Sequence, residues 1–274
     1  MIGINDMKER YWDLLRKLRE IRTAPVIKNI GHCPTCNQDV TFIARNEWLR
    51  DHYLCSNCGS IPRERALMLT IEGYCPNWRS LTIHESSPGN RGASKRLSEE
   101  SSNYIPSQYF PDQEPGSIVG KFRCENLEAL TFADESIDLH VTQDVLEHIF
   151  NPSKAFKEIA RTLKPGGMHI CTVPLVNKGM PSKVRARIDN NEIVYLEPEQ
   201  YHGNPVGDGR SLVTFDWGFD ICRHIFKASG LFTYLIHIDD LMNGIRAEYI
   251  EVLVTVKPRN LDLFPAVSNK ARIS

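Results

Sequence analysis

No stretch of the 274-residue chain approaches the roughly 18 consecutive apolar residues of a membrane helix, so a membrane span is not expected. No sign of charge dominates either. Lys and Arg total 33 against 34 Asp and Glu, a formal net charge of −1, which argues against a general polyanion binder and so against nucleic acid as the partner. Residues 1–22 are charged and lack the apolar core and small-residue cleavage site of a signal peptide, so a cytoplasmic location is the expectation. Internal repeats and low-complexity tracts are absent. A disulfide framework is not expected in a large chain without an export signal. What is present is an ordinary globular composition, 41% hydrophobic and 24% charged, enough for one large domain or a domain plus a small module.

The eight cysteines divide unevenly. Cys75, Cys124, Cys171 and Cys222 are scattered, whereas Cys33-x2-Cys36 and Cys55-x2-Cys58 are two CxxC pairs separated by 18 residues. That spacing suits a four-thiolate zinc site, with a β-hairpin between the pairs bringing the second turn beside the first. Four thiolates leave no open position on the ion, which points to a structural role. A redox dithiol and a single-iron centre remain competing readings. His32, Arg45, Arg50, His52, Arg63 and Arg65 give this stretch a modest basic character, read either as a solvated surface or as a nucleic-acid grip.

Apolar residues at helical spacing over 6–22 predict an N-terminal helix. A second helix is expected over 61–72, capped by Ser60, with Pro62 in its first turn and Gly73 as its stop. Three divisions follow: an N-terminal helix over 1–24, the four-cysteine module over 25–65, and a main domain over 66–274. In the main domain short apolar runs alternate with helical segments. Strands are expected at 81–84, 103–107, 118–123, 137–141 and 169–173, and helices at 92–100, from Asn151-Pro152 to the Lys164-Pro165-Gly166-Gly167 stop, and at 216–229 before Gly230. Two further strands are expected at 231–238 and 249–256. The alternation implies an α/β fold, a mostly parallel sheet with helices on both faces. Residues 174–214, rich in Pro, Gly and charge, read as a long excursion of the lid or substrate-loop kind.

The segment 85–92 (ESSPGNRG), taken with 138–149 (DLHVTQDVLEHI) and 155–167 (AFKEIARTLKPGG), resembles the class I S-adenosylmethionine (SAM) methyltransferases of the type 11-like group. The resemblance runs over about 79–256 and implies a Rossmann-like sheet ending in a reversed strand pair. It also implies a cofactor site. Glu85 keeps the acid of the first turn and Gly89 its second glycine, with Ser86 beside them, while Ser87 and Arg91 replace the first and third glycines. Ser107 or Gln108 stands where the family has an acid for the ribose hydroxyls. Glu125, Asn126 and Leu127 match the adenine contacts, and Gln143 and Asp144 fall where the fourth strand meets the sulfonium and the acceptor. Glu125 and Asp144 are equally open to reading as helix caps.

If the acceptor is a hydroxyl, a general base is useful; His148, His202 and Asp144 are the candidates, with a structural role as the alternative for each histidine. Asp216, Trp217 and Asp220 are further candidates for the same pocket. The leading expectation is a SAM-dependent methyltransferase acting on a small molecule or a sugar. An RNA methyltransferase using the zinc module, and a non-enzymatic interaction protein on a degenerate methyltransferase fold, are the alternatives.

Overall fold

A computed structural model describes residues 25–203 and 209–259; the helix expected over 6–22 lies outside the described residues. The N-terminal module is a hairpin of β1 (Ile27–Cys33) and β2 (Gln38–Ala44), paired antiparallel from Ile27↔Ala44 to Cys33↔Gln38. After the one-turn helix α1 (Leu49–His52), strand β3 (Leu54–Cys55) adds to β2 with Phe42 opposite Cys55. Val40, Phe42 and Tyr53 bury against Cys33 and Cys55 to form a small core.

Helix α2 (Pro62–Tyr74) leads out of the module. Ser60 is not its cap, contrary to expectation. The N-cap is Ile61, whose N–H is taken by Glu64 Oε2 at 3.0 Å, and the Ser60 hydroxyl lies instead 3.2 Å from Cys58 Sγ. Gly73 does not stop the helix either; Cys75 N–H still reaches the Ile71 carbonyl at 2.8 Å. Arg65 in this helix is fully buried. Its guanidinium covers the Phe42 ring at 4.7 Å and donates to the carbonyls of Tyr53 at 2.7 Å and Gly244 at 2.6 Å, which bolts the module to the main domain. A buried charge is tolerable there because carbonyl oxygens receive its donors. The expected boundary between 65 and 66 therefore falls within a single helix that packs on both sides.

The main sheet uses β4 (Thr82–Ser86), β5 (Asn103–Gln108), β6 (Ile118–Val119), β7 (Phe122–Cys124), β8 (Ile137–Gln143) and β9 (Leu163–Thr172). Between β9 and the closing strands lie β10 (Lys183–Val184), β11 (Ala186–Asp189), β12 (Glu192–Tyr195), β13 (Tyr201–Gly203), β14 (Arg210–Leu212) and β15 (Phe215–Asp216). The closing pair is β16 (Phe232–Ile236) and β17 (Val252–Val256), and the spatial order of the main sheet is β16-β17-β9-β8-β4-β5-β7-β6. Pairs β4–β5, β4–β8, β5–β7 and β8–β9 are parallel, while β17 and β16 run antiparallel at one edge. The chain steps outward from β4 in one direction and resumes at β8 on the other side. A crevice at the carboxyl ends of β4 and β8 follows from that reversal.

Two elements differ from expectation here. The third strand is a hairpin of β6 and β7, turned at Gly120 with φ +62°, rather than one run. The excursion, to which no strand was assigned, contains the small hairpins β11–β12 and β13–β14, the first turning on Asn190 and Asn191, both at positive φ as a type I′ turn requires.

Helices α3 (Gly92–Glu100), α4 (Pro152–Thr162) and α5 (Ile221–Ser229) cover the sheet with α2. Asn151 caps α4 by accepting the Lys154 N–H at 3.2 Å. α5 is shorter than the expected 216–229, because Phe215–Asp216 pairs as strand β15 with β10, but it ends as expected at Gly230, φ +74°. On one face of the sheet Leu67, Ile71, Trp78 and Leu97 pack over Ile83, Leu139 and Val254. On the other, Phe156, Trp217, Ile221 and Ile225 pack over Cys171 and Leu253. Each fully buried large aliphatic side chain contributes roughly 1.5–3 kcal/mol, so both faces need their helices. Among the described residues no helix is long and apolar enough to cross a membrane.

Candidate active site

A cavity of about 980 Å³ opens at the carboxyl ends of β4, β5, β7 and β8. Its floor includes Ser86 and Ser87 after β4, Gln108 at the end of β5, Glu125, Asn126 and Leu127 after β7, and Gln143 and Asp144 at the end of β8. The expected cofactor residues are thus largely brought together, but three of them do not reach the wall. Because neighbours along a strand point to opposite faces, Ser107 turns inward where Gln108 turns out. The Ser107 hydroxyl lies 2.7 Å from His84 Nε2 in the sheet interior. Gly89 is held off the wall by its N–H, which donates to Ser94 Oγ at 3.0 Å.

Glu85 is the third, and its carboxylate is fully buried below the floor. Oε1 accepts from Ser94 Oγ at 2.6 Å and Gln143 Nε2 at 2.8 Å, and Oε2 accepts from the Tyr104 hydroxyl at 2.7 Å. Burial pushes its pKa up against those hydrogen bonds. The acid of the first turn therefore fixes the α3 start and the Gln143 amide rather than facing a ligand. Ser87, standing where the family has its first glycine, adopts φ +53° and donates its N–H to the Ser107 carbonyl at 2.8 Å. A left-handed non-glycine residue costs roughly 1–2 kcal/mol, which explains the preference for glycine there. The Glu125 carboxylate is likewise committed, accepting from Arg123 Nε at 2.6 Å and from the Thr131 N–H at 2.8 Å.

Asp144 lines the cavity, but not as a free base. Its Oδ2 pairs with Arg50 Nη2 at 2.6 Å and Arg63 Nε at 3.2 Å, and Oδ1 accepts from Thr172 Oγ1 at 3.1 Å. Burial alone would raise its pKa, yet Arg63 and Arg50 outweigh it and hold the carboxyl at about 2. A carboxylate so stabilised is a poor proton acceptor at neutral pH. The expectation of Asp144 as a base gives way to an anchor that receives two arginines from the four-cysteine module.

That module roofs the cavity with Trp48, Arg50, Asp51 and Arg63, and Trp48 faces Tyr249 with ring centroids 6.3 Å apart. The sequence had shown Arg50 and Arg63 only as part of a basic stretch. No local signal could assign them to the cavity, because their partner lies about 90 residues downstream in the chain. The acceptor-side wall carries Glu147 and His148, on the single 3-10 turn after β8 (Leu146–His148), and His202 on β13. The two rings meet edge to face with centroids 5.1 Å apart. Glu147 was passed over in the sequence, although its place between Asp144 and His148, just past a strand end, was a signal. Asp216 also lines the cavity; Trp217 is fully buried core and Asp220 holds the Ser182 N–H at 3.0 Å.

The four cysteines converge as their spacing implied. Cys33 and Cys58 sulfurs are 3.8 Å apart, Cys36 and Cys55 sulfurs 3.9 Å, and all four lie within 4.8 Å of one another. Zn–S bonds of about 2.3 Å in a tetrahedron put sulfurs about 3.8 Å apart, so the donor set fits zinc in both chemistry and dimension.

Residues 96–171 match the family model described as a methyltransferase domain. This stretch is a methyltransferase domain. The match runs from within α3 into β9 and takes in β5, β7 and β8, whose ends floor the cavity together with that of β4. Among curated proteins, a ubiquinone biosynthesis O-methyltransferase of Ruegeria pomeroyi is 28% identical over 110 residues, 40% of this chain and 42% of that protein. One from Parvibaculum lavamentivorans is 38% identical over 47 residues, 17% of this chain and 19% of that protein. The chain thus aligns with less than half the length of these relatives. Among solved structures, an S-adenosylmethionine-dependent methyltransferase from Mesorhizobium loti is 14% identical, with 70% of this chain and 97% of that one covered at a TM-score of 0.44. The methyltransferase domain supplies the floor of the cavity, while the four-cysteine module and the excursion hairpins supply its roof and far wall.

Proposed function

We propose that the chain is a SAM-dependent methyltransferase acting on a small-molecule acceptor, with a structural zinc ion in the four-cysteine module. The observation that carries this reading is the cavity, which sits at the sheet reversal and has two unlike ends. Its volume is at the upper end of the roughly 300–1,000 Å³ of small-molecule sites, room for a cofactor and an acceptor together. Toward β5 and β7 the wall offers Gln108, Asn126 and Leu127, suited to a ribose and an adenine, beside the Glu125 carboxylate that is committed to Arg123 and Thr131. Toward the roof it carries Trp48, Tyr249, Ile188 and the two histidines, a mixed surface suited to an acceptor with a ring or chain and a hydroxyl. The names of the two curated relatives support an oxygen acceptor. A sugar would serve this wall as well as a ring compound would.

When bound, SAM supplies an electrophilic sulfonium methyl. The residues of this chain position and desolvate the nucleophile, which provides much of the catalysis in an in-line displacement. Gln143, oriented by Glu85, faces the meeting point of the two ends. Trp48 and Tyr249 pack ring against ring at the roof. His148, on the acceptor wall, donates Nδ1–H to the Leu212 carbonyl at 2.8 Å, which leaves the lone pair on Nε2, 3.7 Å from Glu147 Oε1.

Calorimetric titration of the zinc-loaded protein with SAM and S-adenosylhomocysteine tests the reading. Micromolar binding of both is expected, together with about one zinc per chain by metal analysis. A folded protein that binds neither nucleoside would overturn the enzymatic reading in favour of an interaction protein on this fold.

A further inference from the structure

Glu147 is 2% exposed, and neither of its carboxylate oxygens has a hydrogen-bond donor among the described residues. Buried carboxylates are ordinarily satisfied, and an unpaired one costs several kcal/mol unless a cation neutralises it. The same side chain is aimed at two imidazoles. His148 Nε2 lies 3.7 Å and His202 Nδ1 3.6 Å from Glu147 Oε1, beyond hydrogen-bonding reach, and one ligand atom from each of the three residues lies within 4.8 Å of the other two.

The geometry points to a divalent transition-metal site formed by Glu147, His148 and His202 on the acceptor wall. Ligand bonds of about 2.0–2.2 Å at tetrahedral angles place neighbouring donor atoms roughly 3.4 Å apart, a few tenths of an ångström inside the two Glu147–imidazole separations. The donors are preorganised. Nδ1–H of His148 is committed to the Leu212 carbonyl at 2.8 Å, so Nε2 carries the lone pair, the outer-shell arrangement that fixes a ligating imidazole. The turn bearing Glu147 is pinned through its backbone, since Thr214 N–H donates to the Glu147 carbonyl at 2.7 Å and Trp217 Nε1–H to that of Leu146 at 3.2 Å. Arg50, whose charge reaches Glu147, commits its donors to Asp144 at 2.6 Å and the Tyr249 carbonyl at 3.2 Å instead.

Two imidazoles and one carboxylate suit zinc, cobalt, manganese or ferrous iron better than magnesium or calcium. Three protein ligands leave at least one position open, and all three residues line the cavity. That position takes an acceptor hydroxyl oxygen, whose proton the metal renders acidic and which passes to solvent water. The role toward an acceptor rests on the methyltransferase reading; the cation site does not.

The test uses the full-length, zinc-loaded protein titrated with Co(II), read by visible absorption and by metal analysis. One Co(II) per chain is expected beyond the zinc, with ligand-field bands and without thiolate-to-metal charge transfer. Glu147→Gln, nearly isosteric, and His202→Ala, on a half-exposed side chain, each lower Co(II) affinity at least tenfold while zinc content stays at one. Folded wild-type protein that takes up no Co(II) at millimolar concentration, leaving an imidazolium–carboxylate pair as the meaning of the cluster, would overturn the site. Uptake only with thiolate charge transfer would do so too, as would uptake equal to wild type in both variants. S-adenosylhomocysteine titration of the Co(II)-free protein separates the two readings, because retained nucleoside binding without Co(II) uptake sinks the cation site alone.

Discussion

Five histidines of this domain lie in or just beyond strands β4, β8, β9 and β13, and they fall into two sets with opposite chemistry. His84, His140 and His169 are enclosed in the sheet, each with a partner. Thr162 Oγ1 donates to the Glu158 carbonyl at 2.8 Å, so it accepts from His140 Nε2–H, also at 2.8 Å. Neutral His140 then has only Nδ1 to accept, from His84 Nδ1–H at 2.8 Å, and His84 Nε2 accepts from the Ser107 hydroxyl at 2.7 Å. One tautomer per ring satisfies both nitrogens of His84 and of His140. His148 and His202, by contrast, stand at the cavity beside a carboxylate that nothing satisfies. The same residue type is structural where its hydrogen bonds close and chemical where they are left open.

Acid is the strongest way to break the contrast. Burial holds His84 at about 3 and His169 at about 4, and His140 well below its ordinary value, the neighbouring histidines adding to the last. The unfolded chain takes up protons below about pH 6.5, whereas the folded chain does so only near the depressed values. Stability is therefore fully present above about pH 6.5 and falls as pH drops below it, by about 2 kcal/mol per buried histidine at pH 5. Urea midpoints measured at pH 7 and pH 5 check this; a pH-independent midpoint would show the three rings to be solvated.

A smaller effect comes from His140→Phe, which strands the donor on His84 and removes one from Thr162. A loss of about 3 kcal/mol is expected from two orphaned groups, read as a lower urea midpoint at pH 7 and a reduced acid sensitivity. Smallest in stability is His202→Ala, expected within about 0.5 kcal/mol of wild type because the side chain is 36% exposed and outside the core. A large destabilisation by that change, or none by His140→Phe, would erase the distinction between the two sets.

Much of the fold could be read before any coordinates. Asn151-Pro152 marked the start of α4, Gly230 ended α5, and the alternation at Ile137, Leu139 and Val141 is one of the two buried faces of β8. The failures were of one kind. Ser60 as a cap, Gly73 as a stop and a single strand over 118–123 were local readings overruled by the Glu64 carboxylate, by the packing of α2 and by the turn at Gly120. In the site, Ser107 and Gln108 were indistinguishable by residue type, and the sheet face decided between them.

The sequence by itself determined the four-thiolate cluster, the alternation of strands and helices in the main sheet, and the methyltransferase character of 96–171. Each depends on residue types at short spacing, where chain geometry leaves few alternatives. Only the tertiary structure decided that Arg50 and Arg63 clamp Asp144, that Glu85 turns inward, and that Glu147 meets His202 from 55 residues away. Those outcomes follow from long-range closure. A charged side chain can be committed to a partner, or left without one, only after distant segments are packed against it.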